Sequence, residues 1–417
     1  MQHLLNEFRS FARGRGLNGS CFIVGGTVRD MLLGLRTPRD IDIALKGNAL
    51  KRAKDFARAS GGTFVLLDEK FGMARVVKGG EYIDFSKLRG KDIEEDLHAR
   101  DMTINAMAMP LFSRRLIDPL GGYEDLMKGL VRAVSEKNLV DDPLRVLRCY
   151  RFSAMPGFRL EKGTTRILRK LAPLLKTKKP APERITQEMR QVLLFPHAGR
   201  VADRMARDGV LKAIMPGVRA RNIRSLKALE GIFSGRFPFR REMGQLTDDE
   251  LFSLKLAVLS AGAGESVSGR LSLSGSQREL IEKTASFRKR LVSLFKRKKP
   301  GGLTAVRVLR DARDGIYIYL LASYAALKPG LEDNGRELAD FSREILSAYL
   351  KGIRPKLGVR LITGDDLIRE LGLKPSPLFK TVLGEVELLW LAGRIKDRAQ
   401  ALAAAKKLSG RLLKKSL

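Results

Sequence analysis

Histidine and cysteine are scarce in this chain, three and two among 417 residues. His3, His98 and His197 lie far apart, which argues against structural zinc, a His-Asp hydrolase cluster or a Ser-His-Asp triad. Cys21 and Cys149 each sit among apolar neighbours. They are expected as buried thiols of a protein in a reducing, cytoplasmic compartment. No apolar run approaches the length of a membrane-spanning helix. Met1 to Gly16 is mixed, with Arg9, Arg13 and Arg15, so neither a signal peptide nor a membrane partner is expected. Acidic residues are outnumbered too: 46 Asp and Glu face 79 Lys and Arg, a formal charge of +33. The excess runs along the whole length, as in a protein with a polyanionic partner, and nucleic acid leads the candidates.

What is present is organised around residues 21 to 44. Phe22-Ile23-Val24 reads as a buried strand and Gly25-Gly26 as a tight turn whose backbone N–H groups can approach a phosphate. Val28 to Leu35 has helical spacing, broken by Gly34 and Pro38. In Asp40-Ile41-Asp42 the strand period of two puts both carboxylates on one face. Two such anions call for a divalent cation, and Mg²⁺ suits carboxylates plus substrate phosphates. The competing reading is a solvated edge strand with two charges.

Helices are expected over 1–16 and 48–61, and strands over 63–67, 73–77 and 82–85, with a hairpin turn at Lys78-Gly79-Gly80. Asp84 is either a third carboxylate beside Asp40 and Asp42 or an ordinary polar strand residue. The run from Ile93 to Ala108 begins with acids and continues with apolar periodicity, which suits a helix carrying Arg100, Asp101 and Asn105. Leu130 to Val134 reads as a closing strand. From Asp141 the chain turns helical and strands largely vanish. Asp142 and Arg145, three apart, share a helix face. A linker over 177–182 precedes a helix beginning at Glu183-Arg184-Ile185, and another helix covers 198–208. Thr363-Gly364-Asp365-Asp366 makes a good cap, Phe295 to Lys299 is a cationic cluster, and the basic tail from Ala404 is expected to fray.

Taken together, Ile23 to Gly34 with Asp40-Ile41-Asp42, then Arg100-Asp101-Met102-Thr103-Ile104-Asn105-Ala106, Asp118 to Leu126, Asp142-Pro143-Leu144-Arg145-Val146-Leu147-Arg148 and Pro182-Glu183-Arg184-Ile185 resemble the five ordered motifs of class II tRNA nucleotidyltransferases and bacterial poly(A) polymerases. The resemblance implies an α+β fold. A polymerase-β-type head with a small mixed sheet (1–136) would precede an all-α neck (137–215), body (216–334) and tail (335–417). It implies template-independent addition of nucleotides from CTP or ATP to the 3′ end of tRNA, gripped at its acceptor end and elbow. Asp40 and Asp42 would hold Mg²⁺, with Asp84 as the third catalytic acid. Gly25, Gly26, Thr27 and Arg29 would cradle the triphosphate. Arg100, Asp101 and Asn105 would stabilise sugar or phosphates and orient the neck. Asp142 and Arg145 would read the base, with Arg148 on the same helix and Arg184 bracing the pair.

Three departures from the family pattern are local: Asp141 stands where Glu is usual, Ala99 where Arg is common, and Met102 where an aromatic is common. A fourth concerns length. Only Gly90-Lys91-Asp92 separates Arg89 from Ile93, where enzymes that add the final A carry a longer flexible loop. That resembles the CC-adding branch. Complete CCA addition, terminal A addition, poly(A) synthesis and non-catalytic RNA binding are the alternatives.

Overall fold

The computed structural model describes residues 3–35, 40–234, 246–263, 269–296, 302–327 and 335–413, with the Asp40 side chain outside that set. Residues 297–299 of the cationic cluster are also outside it. The chain divides into two compact units, one of residues 1–195 and 200–216, the other of 196–199 and 217–417.

The first unit runs α1 (His3–Gly14), β1 (Cys21–Val24), α2 (Gly26–Leu32), β2 (Asp40–Leu45), α3 (Ala49–Ser60), β3 (Thr63–Asp68), β4 (Met73–Lys78), β5 (Glu81–Lys87), α4 (Ile93–His98), β6 (Ala108–Pro110), α5 (Gly122–Met127), β7 (Leu130–Val131), α6 (Glu136–Asp141), α7 (Leu144–Ser153), β8 (Arg159–Leu160), α8 (Lys162–Leu171), α9 (Leu174–Thr177), α10 (Pro182–Leu194), α11 (Ala198–Arg207) and α12 (Val210–Ile214). Its six-stranded sheet has the order β3-β4-β5-β2-β1-β6. β2 and β5 run parallel and every other neighbouring pair antiparallel, so the expected small mixed sheet is present.

Strand alternation gives the sheet two different faces. Ile41, Ile43, Ile83 and Phe85 are buried on one. There Phe8 of α1 and Phe56 of α3 pack against Phe85, with Phe8 centroids 5.1 and 4.9 Å from the other two rings. Asp42 and Asp84 belong to the other face, directly paired across the β2–β5 ladder. Below them Val24, Ala44, Leu88, Leu97 and Ala106 close a second apolar cluster. Cys21 and Cys149 are both free and buried. Burial pushes the Cys21 thiol up to about 12, which keeps it protonated and unreactive.

One expectation fails here. The helix expected over 93–108 stops at His98, and a short 3₁₀ turn (Thr103–Asn105) and β6 follow. The start signals are real, since Asp92 caps the Glu95 N–H and acids fill the first turn. Met102 is then drawn into extended backbone (φ −143°, ψ 154°) by a bridge to Ala133, and that tertiary pairing overrides local periodicity. After Asp141 strands largely vanish among the described residues, as expected; the exception is the two-residue β8, which pairs in parallel with β7.

Every regular element among the described residues of the second unit is a helix. The helix Ile316–Leu327 is buried along nearly its whole length and serves as its centre. Thr363 caps Gly364–Arg369 in a reciprocal capping box with Asp366, as its sequence suggests. The basic tail does not fray within the described residues. It is helical over Arg398–Leu413, with Ala401 and Ala405 buried against Val382 and Val386.

Candidate active site

A cleft of about 900 Å³ in the first unit collects nearly all the residues singled out from the sequence. Its floor is the turn after β1. Gly25 adopts φ +65°, ψ −129°, and a Cβ there would stand 2.7 Å from Arg100 Nη1 and 3.7 Å from Asp42 Oδ2. Only glycine fits both the conformation and the space. Gly25 therefore contributes room rather than a donor, because its own N–H is given to the Met107 carbonyl. Thr27 is buried and its Oγ1 accepts the Asp42 N–H at 2.8 Å, which ties the turn to β2. Arg29 donates Nη1 to Asn105 Oδ1 at 2.7 Å and Nε to Asp30 at 2.8 Å.

Asp42 lines the cleft beside Gly25 and Gly26. Asp84 lies next to it in register but is not a bare carboxylate. Arg75, opposite Asp84 on β4, donates Nε and Nη2 to its two oxygens at 2.7 and 2.8 Å, and stacks on Tyr82 with its guanidinium 3.8 Å from the ring centroid. Asp40 opens β2, and its side chain lies outside the described residues. Among those residues no three His, Cys, Asp or Glu side chains converge on a common point.

The segment from Arg100 to Asn105 binds the cleft together. Arg100 pairs with buried Asp96 (Nη2 to Oδ2 2.9 Å). Asp101 is buried, accepting from Arg148 Nε at 2.6 Å, from the Met102 N–H at 2.9 Å and from Asn105 Nδ2 at 3.4 Å. Asn105 passes the connection to Arg29. Burial alone would raise the Asp101 carboxyl, but the Arg148 guanidinium outweighs it and holds the group at about 2. A folded value below the ordinary 3.8 means stability fully present above pH 4 and lost as pH falls toward 2, about 2 kcal/mol by linkage. We expect Asp101→Asn, which leaves Arg148 without its closest anion, to cost about 3–5 kcal/mol in denaturant titrations at pH 7. The difference from the parent should shrink as pH falls from 4 to 2.

The third wall is α7 with α10. Asp142 precedes α7; Oδ1 accepts the Leu144 N–H at 3.1 Å and Oδ2 accepts Arg184 Nη2, from the first turn of α10, at 3.1 Å. The Arg145 N–H donates to the Asp142 carbonyl at 3.0 Å, but its guanidinium does not bond the Asp142 carboxylate. It donates Nη1 to the Ala99 carbonyl at 2.9 Å, and Arg89 Nη1 reaches the same oxygen at 3.2 Å. Burial weakens the hold of Arg145 on its proton, and the Arg89 charge adds to the effect. Arg148 is shifted the other way by Asp101.

Several participants escaped sequence reasoning. Arg75 and Arg89 could be recognised only from cross-strand register and the fold of the Ala99 turn. Glu188 lies under α7, 3.4 Å from Arg151 and 3.8 Å from Arg148, and burial raises its carboxyl. Phe152 gathers three guanidinium groups, with Arg151, Arg29 and Arg148 at 4.6, 4.9 and 5.9 Å from its centroid. The recurrence of Arg at 145, 148 and 151 was the available signal.

The short connection after β5 is stapled on both sides. Asp96 Oδ1 accepts the Arg89 N–H at 3.0 Å, Glu95 Oε2 accepts the Lys91 N–H at 3.0 Å, and Asp92 caps Glu95 at 2.9 Å. Gly90 has φ +92°, and a Cβ there would collide with Glu95.

Comparison with known proteins fits this architecture. The poly A polymerase head domain matches residues 21–132, and the probable RNA and SrmB-binding site of polymerase A matches 157–221. The CC-adding tRNA nucleotidyltransferase of Synechocystis sp. is 32% identical over 93% of both chains. The chain belongs to the tRNA nucleotidyltransferase family. An A-adding relative from Halalkalibacterium halodurans is 28% identical over 94% of this chain and 89% of its own. The Thermotoga maritima CCA-adding enzyme, solved with tRNA, is 26% identical with TM-score 0.71 over 98% of each chain. This nucleotidyltransferase thus has relatives of differing nucleotide preference at similar distance, and its own preference must be argued from its cleft. Among its described residues no helix is long and apolar enough to cross a membrane.

Proposed function

We propose that this nucleotidyltransferase adds cytidines from CTP to the 3′ end of tRNA, stopping at CC and releasing pyrophosphate. The observation that carries the reading is the stapled Arg89–Ile93 connection, joined through the Ala99 carbonyl to Arg145. A lever that cannot swing leaves the base pocket in one shape.

In the reaction the RNA 3′-hydroxyl oxygen bonds to the α-phosphorus of the nucleotide, and the bond to the leaving pyrophosphate breaks. Asp42, with Asp40 on the same strand, is the pair we assign to Mg²⁺, and an Asp42 carboxylate oxygen stands beside a glycine turn that leaves room for phosphates. Bound there, the ion would lower the pKa of the attacking hydroxyl and offset the charge of the leaving group. Asp84 shares its charge with Arg75 and acts as a weaker third acid than a bare carboxylate would. Arg29, held by Asn105, faces the triphosphate beside Gly26 and Thr27. Arg100 and Asp101 act mainly by fixing the turn and α7. Arg145 presents donors to the cytosine ring acceptors, and Asp142 keeps lone pairs for the exocyclic amine while braced by Arg184. Arg148, locked on Asp101, fixes α7 rather than reading the base. The +33 charge serves phosphate binding along the tRNA, a term that weakens steeply with salt.

The test is to incubate the protein with tRNA lacking its 3′ CCA, supplying CTP and ATP singly and together with Mg²⁺. The expected ladder ends at CC whether or not ATP is present. Incorporation of A after CC would replace the proposal with complete CCA addition, and A alone on a CC-ending tRNA with terminal A addition. Long A tails on unrelated RNAs would mark a poly(A) polymerase. RNA binding without any incorporation would mark a non-catalytic binder.

A further inference from the structure

The β3–β4 hairpin carries a feature that the reaction as described does not use. Phe71 is 56% exposed, more than any other large apolar side chain among the described residues. It nevertheless lines the cleft, together with Lys70, in company that is otherwise largely charged. Single exposed apolar residues are ordinary on protein surfaces, but this one is held in place by a built turn. The β3–β4 ladder shifts register between Leu66 and Asp68, a bulge of the kind that re-aims side chains. Asp68 Oδ1 accepts the Phe71 N–H at 3.0 Å, and Gly72 follows at φ +61°. A Cβ on Gly72 would press to 3.2 Å from the Lys87 Cβ, so the turn seats tightly against the end of β5. Lys70 Nζ stands 5.7 Å from the Phe71 ring centroid.

Strand order locates the ring relative to the chemistry. The Gly25 turn leaves β1, on one side of β2, whereas Phe71 precedes β4, two strands away on the other side. At roughly 5 Å per strand the hairpin lies about 10 Å across the sheet from the Asp42 strand. It also lies toward the Lys87–Arg89 end of β5, where further cations line the cleft. An exposed aromatic face flanked by Lys and Arg is the combination that holds unpaired nucleotides: the ring stacks on a base and the cations track its phosphates.

We infer that Phe71, with Lys70, is the stacking platform for an unpaired base at the 3′ end of the RNA acceptor. The inference rests on the reading of this cleft as the site of nucleotidyl transfer. It places the acceptor strand on the side of the carboxylates opposite the triphosphate turn, as the attack described above needs.

The test uses the full-length protein and two readouts. First, steady-state incorporation is measured for Phe71→Ala and Phe71→Trp. The alanine variant should raise the KM for tRNA about tenfold, in line with the loss of one stacked base. The KM for CTP should stay within twofold, the thermal midpoint should hold, and tryptophan should restore the tRNA KM. Second, a tRNA ending in 5-iodouridine is photocrosslinked without nucleotide, and the attached peptide should contain Phe71. An unchanged tRNA KM with no Phe71 crosslink overturns the inference, and so does a rise confined to the CTP KM, which would assign the ring to the incoming base. Crosslinking needs no turnover. Failure of the wild type to incorporate nucleotide while the Phe71 crosslink persists would sink the activity and retain the platform.

Discussion

Asp42→Asn is expected to lower nucleotide incorporation by about 10³-fold while leaving tRNA binding within twofold. The substitution is nearly isosteric, and the Asp42 N–H keeps its bond to Thr27 Oγ1, so the β2–α2 junction should persist and the thermal midpoint should barely move. What is lost is one full negative charge beside Gly25 and Gly26, where a Cβ would come within 4 Å of the Asp42 Oδ2 atom. Several kcal/mol of stabilisation at a metal-assisted phosphoryl transfer corresponds to about a thousandfold in rate. Binding of tRNA depends on many distributed phosphate contacts and should keep its salt dependence. Single-turnover incorporation and filter binding on one preparation separate the two effects. Retention of more than a tenth of the parent rate would remove Asp42 from the metal assignment.

The second large effect is expected at Arg145. Arg145→Ala should reduce kcat/KM for CTP about a hundredfold and bring the preference for CTP over ATP to within a few-fold. A charged hydrogen bond in a dry site contributes about 1.5–3 kcal/mol, which covers a factor of a hundred. The guanidinium is half-buried and oriented by the Ala99 carbonyl, so little of that energy is spent on ordering it. Arg145→Lys should recover part of the rate but not the preference, because a single ammonium lacks the planar fork that meets two acceptors at once. Measuring kcat/KM for each nucleotide separately checks both statements. An unchanged CTP to ATP ratio in the alanine variant would move base selection elsewhere.

Much of the site was legible in the sequence because its elements are local. Gly25-Gly26 had to be a turn, and Asp40-Ile41-Asp42 had to alternate once β2 formed. Asp142 and Arg145 were expected on one helix face, but Asp142 stands in extended backbone (φ −131°, ψ 97°) between α6 and α7, and only Arg145 lies on a helix. What was illegible depends on register between distant strands and on burial. Nothing in the spacing of Arg75 and Asp84 announces a bidentate pair; it arises because β4 sets them opposite each other. The helix expected through Ala108 fails for a similar reason, since the Met102–Ala133 bridge lies outside any local window. Asp101 and Asn105 were expected at the substrate, yet their carboxylate and amide oxygens accept from Arg148 and Arg29. A motif shows that residues belong to a site and leaves open whether they face the ligand or one another.

The stapled turn at Gly90 bears finally on fidelity. A pocket that must close around each substrate divides its population between competent and incompetent forms, and its apparent affinity falls by the competent fraction. The bonds from Arg89 and Lys91 to the carboxylates of Asp96 and Glu95, and from the Glu95 N–H back to Asp92, hold this connector in one arrangement before any nucleotide arrives. On the CC-adding function proposed above, selection would be a single comparison of fit against a preformed edge, without a closing step to reject a poor match. Discrimination in such an enzyme is bounded by the hydrogen bonds of one pocket, and a second base can enter only at the expense of the first.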